Sequence, residues 1–148
     1  MIGFSRLFPK SRRFGRYNMT FLDENETAEV GSVVGAFMMV RREAINRVGL
    51  LDESFFMYGE DLDWCKRIGE VGYKVMYYPT VEVLHVKRAA SSQSKRARVE
   101  FVRAFLIFYR KHFRAQTAPL AHLLVMAGIG LWGGPALWRE LVYGSVDG

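Results

Sequence analysis

A single cysteine, Cys65, is all the thiol chemistry this sequence offers. It excludes an internal disulfide framework and a cysteine-based zinc site, and it fits a reducing compartment. Neither phosphate-cradling pattern, G-x-x-x-x-G-K-[ST] or G-x-G-x-x-G, occurs, so the chain carries no recognisable nucleotide-binding loop. The residues after Met1 do not read as the apolar core of a secretory leader, because Arg6, Pro9, Lys10, Arg12 and Arg13 interrupt it. The expected setting is therefore the cytoplasm. No internal repeat or low-complexity block is visible. Acid is scarce toward both ends: Arg6 to Arg16 holds five basic residues and no carboxylate, and Lys87 to Arg114 holds nine against Glu100 alone. Such asymmetry calls for an anionic partner, be it nucleic acid, a phosphorylated substrate or a membrane surface. The acidic centre, the apolar C-terminal span and the absence of any reader motif argue against nucleic acid. What is there is a chain of 148 residues, 50% hydrophobic and 14% aromatic, enough for one domain with its own core.

The acid is concentrated in one place. Gly49 to Cys65 packs Asp52, Glu53, Glu60, Asp61 and Asp63 among Phe55, Phe56, Tyr58 and Trp64. Carboxylates crowded where a loop becomes a helix suit a tuned acid, base or cation ligand, and equally a structural ion network. Around this stretch, residues 1–29 read as an irregular arm. Val30 to Val40 reads as a buried strand holding two glycines. Arg41 to Val48 reads as a short helix ended by Gly49, and a second helix runs from about Glu60 until Gly72 stops it. Tyr73 to Tyr78 and Val81 to Val86 read as strand segments separated by Pro79. A long basic amphipathic helix is expected from Ser94 to about Phe113, with Val99, Val102, Leu106, Tyr109 and Phe113 as its apolar stripe. It suits either a membrane surface or packing on the domain. The uncharged span Ala115 to Trp138 is long enough to cross a bilayer, to lie in its interface or to pack as core; His122, Pro119, Pro135 and its glycines weigh against a true span.

Asp61-Leu62-Asp63 has the spacing of a metal-binding D-x-D. Two residues apart on a helix, however, the side chains diverge, so one carboxylate acting as general base with the other held structurally fits better. His85 lies at an expected strand end, beside a basic small-residue loop containing Lys87, Arg88 and Ser91. A base, a metal or phosphate ligand and nearby cations make a coherent set for group transfer from a phosphorylated donor.

The run GAFMMVRREAINRVGLLDESFFMYGEDLDWCKRIGEVGYKVMYYPTVEVLH closely resembles the second half of the family 2 glycosyltransferases, particularly the bacterial rhamnosyltransferase-like members. The shared pattern is G-A-x-M-x-x-R-R, then V-G-x-x-D-E-x-F-F-M-Y-x-E-D-x-D, then Y-x-P and a histidine ahead of a serine. It covers about residues 30–92, and the LFPKSRR arm and FYRKHF helix are similar as well. The resemblance implies a GT-A fold, an α/β sandwich that transfers a sugar from a nucleotide-sugar with inversion. It implies Asp61 as the general base, supported by Glu60. Gly35, Ala36, Asp52 and Glu53 would line the acceptor side, and His85 would approach the metal or donor diphosphate, with Lys87, Arg88 and Ser91 nearby. A glycine common between that histidine and the serine is absent, with Arg88 to Ala90 in its place.

The resemblance further implies that the donor-binding half, with its own D-x-D and a divalent Mg²⁺ or Mn²⁺, lies outside this chain. The expected division is an irregular basic arm over 1–29, the acceptor-side part of a GT-A domain over 30–92, a basic amphipathic helix over 93–114 and an apolar, membrane-associated tail over 115–148. The implied partners are a nucleotide-sugar and a lipid-linked or cell-envelope glycan, with rhamnose as the candidate sugar, at the inner face of the plasma membrane. Alone the chain is expected to be inactive. Two rival readings stand beside it, a non-catalytic membrane-associated interaction module and a metal-dependent phosphotransfer domain.

Overall fold

The computed structural model describes Met19, residues 21–85 and residues 95–143. Two short strands, β1 (Ala28–Val30) and β2 (Val75–Tyr77), pair antiparallel with Ala28 opposite Tyr77, Glu29 opposite Met76 and Val30 opposite Val75. Between them lie helices α1 (Arg42–Val48) and α2 (Glu60–Glu70). After them come α3 (Lys95–His112), a single 3₁₀ turn at Arg114–Gln116, α4 (Pro119–Gly133) and α5 (Pro135–Tyr143). Secondary structure is thus mixed, with helices dominating and a small sheet.

The helices begin and end where local chemistry dictates. Gly49, with φ 78°, closes α1 in a backbone conformation that side chains disfavour, its N–H bonding to the Ile45 carbonyl. Gly59, with φ 84°, opens α2, and the acidic residues Glu60, Asp61 and Asp63 occupy the first turn, where the helix dipole favours them. Pro119 sits at the start of α4, where a missing N–H costs nothing.

The larger core is helical. Val102 and Leu106 of α3, Ile129 of α4 and Leu137 of α5 are buried together, with Val99, Val125, Met126 and Leu141 packed around them. The expected stripe on α3 is real at Val99, Val102 and Leu106, whereas Phe113 is exposed. The long helix is therefore packed on its own domain, by the apolar face that burial favours.

Two expectations fail, and a span left open between three readings is divided. Val30 to Val40 is not a buried strand. Only Val30 pairs, and Val34 and Met39 are 71% and 87% exposed. Among the described residues no neighbouring strand satisfies the backbone of this run, and an apolar sequence alone does not make a sheet. Val81 to His85 likewise forms no strand and is exposed throughout; the remainder of that segment lies outside the described residues. The uncharged span is broken into two helices at Gly134, whose φ of 66° turns the chain. No helix among the described residues is long and apolar enough to cross a membrane.

Candidate functional site

The start of α2 is the centre of the site. Asp61, the second residue of that helix, has both carboxylate oxygens held by backbone. The Gly35 N–H donates to Oδ2 at 2.9 Å and the Leu62 N–H to Oδ1 at 2.8 Å. A helix start leaves its first N–H groups without intrahelical partners, which is why Asp61 can take one. Each oxygen keeps a further lone pair able to accept another donor. The approach of Gly35 is close: a Cβ built there would lie 3.4 Å from the Asp61 Cβ. The irregular segment 31–40 therefore brings its glycine backbone against a carboxylate 26 residues further along the chain.

Glu60 precedes it with one oxygen in an unusual state. Its Oε2 is buried and has no hydrogen-bond partner among the described residues. A buried carboxylate oxygen without a donor is costly, and such atoms mark places where a ligand or water belongs.

Asp63 behaves differently. It is fully buried and receives Arg67 Nε at 2.7 Å, Lys111 Nζ at 2.9 Å and His112 Nε2 at 2.7 Å. Burial by itself would push its carboxyl upward, but hydrogen bonds from Lys111, Arg67 and His112 outweigh that and hold it below the usual carboxylate range. Lys111 also contacts Asp52, whose other oxygen accepts from the Ser54 N–H at 2.9 Å and hydroxyl at 2.7 Å. Those bonds, led by Lys111, set the Asp52 carboxyl far below its ordinary value. Desolvation pulls the Lys111 ammonium downward, yet the same two carboxylates outweigh it and raise the group. Arg67 adds a bond to the Leu50 carbonyl at 2.8 Å, and Trp64 Nε1 donates to the Gly49 carbonyl at 2.9 Å. The acidic loop is thus fastened to both α2 and α3. Cys65, between these anchors, is buried, and that burial pushes its thiol up, away from nucleophilic chemistry.

The structure brings Gly35 to Asp61 and places Glu60 beside it in sequence. It does not bring Asp61 and Asp63 to one point, since Asp61 engages Gly35 while Asp63 faces the α3 cations. Ala36 and Glu53 are exposed, and the described oxygen contacts of Asp52 are internal, to Ser54 and Lys111. His85 is exposed, and no group of three His, Cys, Asp or Glu side chains able to hold a metal exists among the described residues. Lys87, Arg88 and Ser91 lie outside the described residues. Lys111 and His112 are invisible as site-shaping residues in sequence, because a basic amphipathic helix hides which of its cations turn inward. Their one signal is their place in the FYRKHF run.

The sequence matches the family described as Glycosyl transferase family group 2 over residues 11–141. It is similar to an N-acetylglucosaminyl-diphospho-decaprenol L-rhamnosyltransferase of Mycobacterium tuberculosis, 39% identical over 80 residues that make up 54% of this chain and 26% of that protein. The rhamnosyltransferase WbbL of Escherichia coli K12 is 39% identical over 51 residues, 34% of this chain and 19% of the relative. The low-salt glycan biosynthesis hexosyltransferase Agl10 of Haloferax volcanii is 27% identical over 108 residues, 68% of this chain and 35% of the relative. The chain therefore spans about a fifth to a third of the length of these relatives. No solved structure matches it.

Proposed function

Because this chain belongs to glycosyl transferase family group 2, we propose that it supplies the acceptor-side part, with the general base, of an inverting sugar transferase of GT-A fold. The observation that carries the reading is Asp61 at the start of α2, its carboxylate locked by the Gly35 and Leu62 N–H groups with lone pairs to spare. A base of this kind works by geometry first. The two backbone bonds fix the side-chain rotamer, so the remaining lone pairs point in a set direction without further loss of freedom. Asp61 takes the proton from an acceptor hydroxyl as that oxygen attacks the anomeric carbon, and the nucleoside diphosphate leaves from the opposite face. Glu60, whose buried Oε2 lacks a donor among the described residues, is satisfied when an acceptor hydroxyl donates to it. Gly35 holds Asp61, while Ala36 and Glu53, both exposed, line the acceptor side. Asp52 acts there indirectly, as the staple joining the loop to Lys111.

The donor diphosphate and its divalent Mg²⁺ or Mn²⁺ would be held mainly by residues other than those described, with His85 and the Lys87, Arg88 and Ser91 loop as this chain's contribution near them. The described residues do not assemble a metal site of their own. The relatives' names point to a diphosphate-linked polyprenol or similar glycan as acceptor and to rhamnose as the sugar. The exposed Leu120, Leu123, Leu124 and Leu131 of α4, following a helix rich in Lys and Arg, support contact with the cytoplasmic face of the plasma membrane, where such an acceptor resides. By itself the chain is inactive for want of a donor site.

The test uses a polypeptide that joins this chain to a family donor-binding half. Asp61→Asn there lowers transfer by about 10²- to 10⁴-fold while nucleotide-sugar affinity is retained. Unchanged turnover removes Asp61 from the chemistry, and sugar transfer by the chain alone removes the claim that it lacks a donor site.

A further inference from the structure

Tyr58 is one of two non-glycine residues with positive φ among those described, at 70°, and it is followed by Gly59 at 84°. Residues other than glycine rarely adopt this conformation; where they do the surroundings enforce it, and such residues cluster at working sites. The bend is held from behind, since a Cβ on Gly59 would meet the Phe55 ring at 3.2 Å and the Ala104 Cβ of α3 at 3.3 Å. Its result is to lay the Tyr58 ring edge-on to Phe101, 5.6 Å between centroids at 82°. Phe101 in turn meets Phe105 at 5.2 Å and Trp132 of α4 at 5.7 Å, and Phe105 meets Trp132 at 5.6 Å. Rings from three separate parts of the chain thus touch in series.

These rings are not core. Phe101, Phe105 and Trp132 remain 36, 41 and 47% exposed, while their neighbours Val102 and Leu106 are buried completely or nearly so. The strip begins two residues before Glu60 and three before Asp61, and it ends on α4, the helix that carries the exposed leucines. Arg98, exposed and about one helical turn before Phe101, shares that face of α3.

We propose that Tyr58, Phe101, Phe105 and Trp132 form a binding track for the isoprenoid chain of the lipid-linked acceptor, with Arg98 beside its phosphate end; this rests on the acceptor reading above. Three features favour that occupant. The track starts next to the site carboxylates, so a ligand whose sugar reaches Asp61 can lay its lipid along the rings. Aromatic faces and edges suit the unsaturated, methyl-branched chain of a polyprenol through dispersion. A cation next to an apolar strip matches an amphiphile with a phosphorylated head.

The test titrates the full chain with farnesyl diphosphate, a soluble isoprenoid, by calorimetry and tryptophan fluorescence. Inorganic diphosphate and dodecyl phosphate serve as comparison ligands. Saturable one-to-one binding is expected, accompanied by a fluorescence change that Trp132→Phe abolishes. Phe105→Ala should weaken binding about tenfold, the loss of one aromatic contact, with an unchanged circular dichroism spectrum because the side chain is partly exposed. Phe105→Leu should recover part of the loss. Absence of saturable binding overturns the track. So does equal affinity for dodecyl phosphate, which marks an unspecific apolar surface, and so does self-association of the wild type that Phe105→Ala removes, which marks a dimer face. The two proposals fail separately: Asp61→Asn leaves farnesyl diphosphate binding intact, and unchanged turnover in that variant sinks the base without touching the track.

Discussion

Two aspartates two positions apart have opposite fates, and the helix that carries them explains it. Successive side chains around a helix point in different directions, so Asp61 meets the Gly35 backbone while Asp63 is driven into the domain against Arg67, Lys111 and His112. The divergence of the pair is legible from spacing alone. The identity of the clamp is not, because nothing in a sequence states which cations of a helix 49 residues away turn inward. Asp63→Asn keeps the shape and removes the charge, leaving Lys111 and Arg67 without their shared anion. It should cost about 3 kcal/mol of stability, measured by urea denaturation. The pH dependence follows from the same residues. Asp52 and Asp63 titrate below their unfolded values, so their contribution is full above the ordinary carboxylate range, near about pH 4, and is lost as pH falls through the folded values. Lys111 is raised, so its share is present below about pH 10 and is lost as pH climbs through the folded value. Melting temperature should hold level from about pH 5 to about pH 9 and fall on the acid side. Asp63→Asn should flatten that acid fall; an unaltered acid limb would show that the clamp does not govern it.

Among the elements, helices are read more reliably from sequence than strands: the strand expected within Tyr73 to Tyr78 is present as β2 (Val75–Tyr77), but two other expected strands are not. Amphipathic spacing and terminal glycines locate α1, α2 and α3 closely. A helix satisfies its own backbone, whereas a strand needs a partner whose position no local pattern reveals. That is why the apolar content of Gly31 to Val40 does not make it pair, and why the strand expected at Val81 to Val86 is absent over its described part. The break at Gly134 is partly legible: the glycines and Pro135 stand out as weaknesses, but the positive-φ turn that separates α4 from α5 does not. Gly134→Ala forces a side chain into that conformation and should cost about 1 kcal/mol. Leu106→Ala, which empties a site only 1% exposed in the helical core, should cost about 3 kcal/mol. Both are read as a shift of the denaturation midpoint at constant slope.

In the assembled domain, an acidic loop and a helical hairpin are joined by polar side chains, Lys111 and His112 on one side and Asp52 and the buried Asp63 on the other. This joint fastens the loop that precedes the candidate base to α3, which packs against α4 and α5. The family is legible in the sequence from the fixed spacing of the E-D-x-D run and its neighbours, and the match over residues 11–141 agrees with it. The aromatic strip emerges only from packing, since Tyr58, Phe101 and Trp132 are far apart in sequence.

The proposed site assigns the chemistry to Asp61 and the anchoring of the loop to Asp63, which receives Arg67, Lys111 and His112. Single-turnover sugar transfer in the joined polypeptide, with melting temperature recorded on the same Asp61→Asn and Asp63→Asn samples, separates the two roles. Asp61→Asn, which can keep only one of its two backbone bonds, is expected to lose at least about 100-fold in rate with a smaller fall in melting temperature than Asp63→Asn, which should melt several degrees lower. A full transfer rate in Asp61→Asn would contradict the assignment.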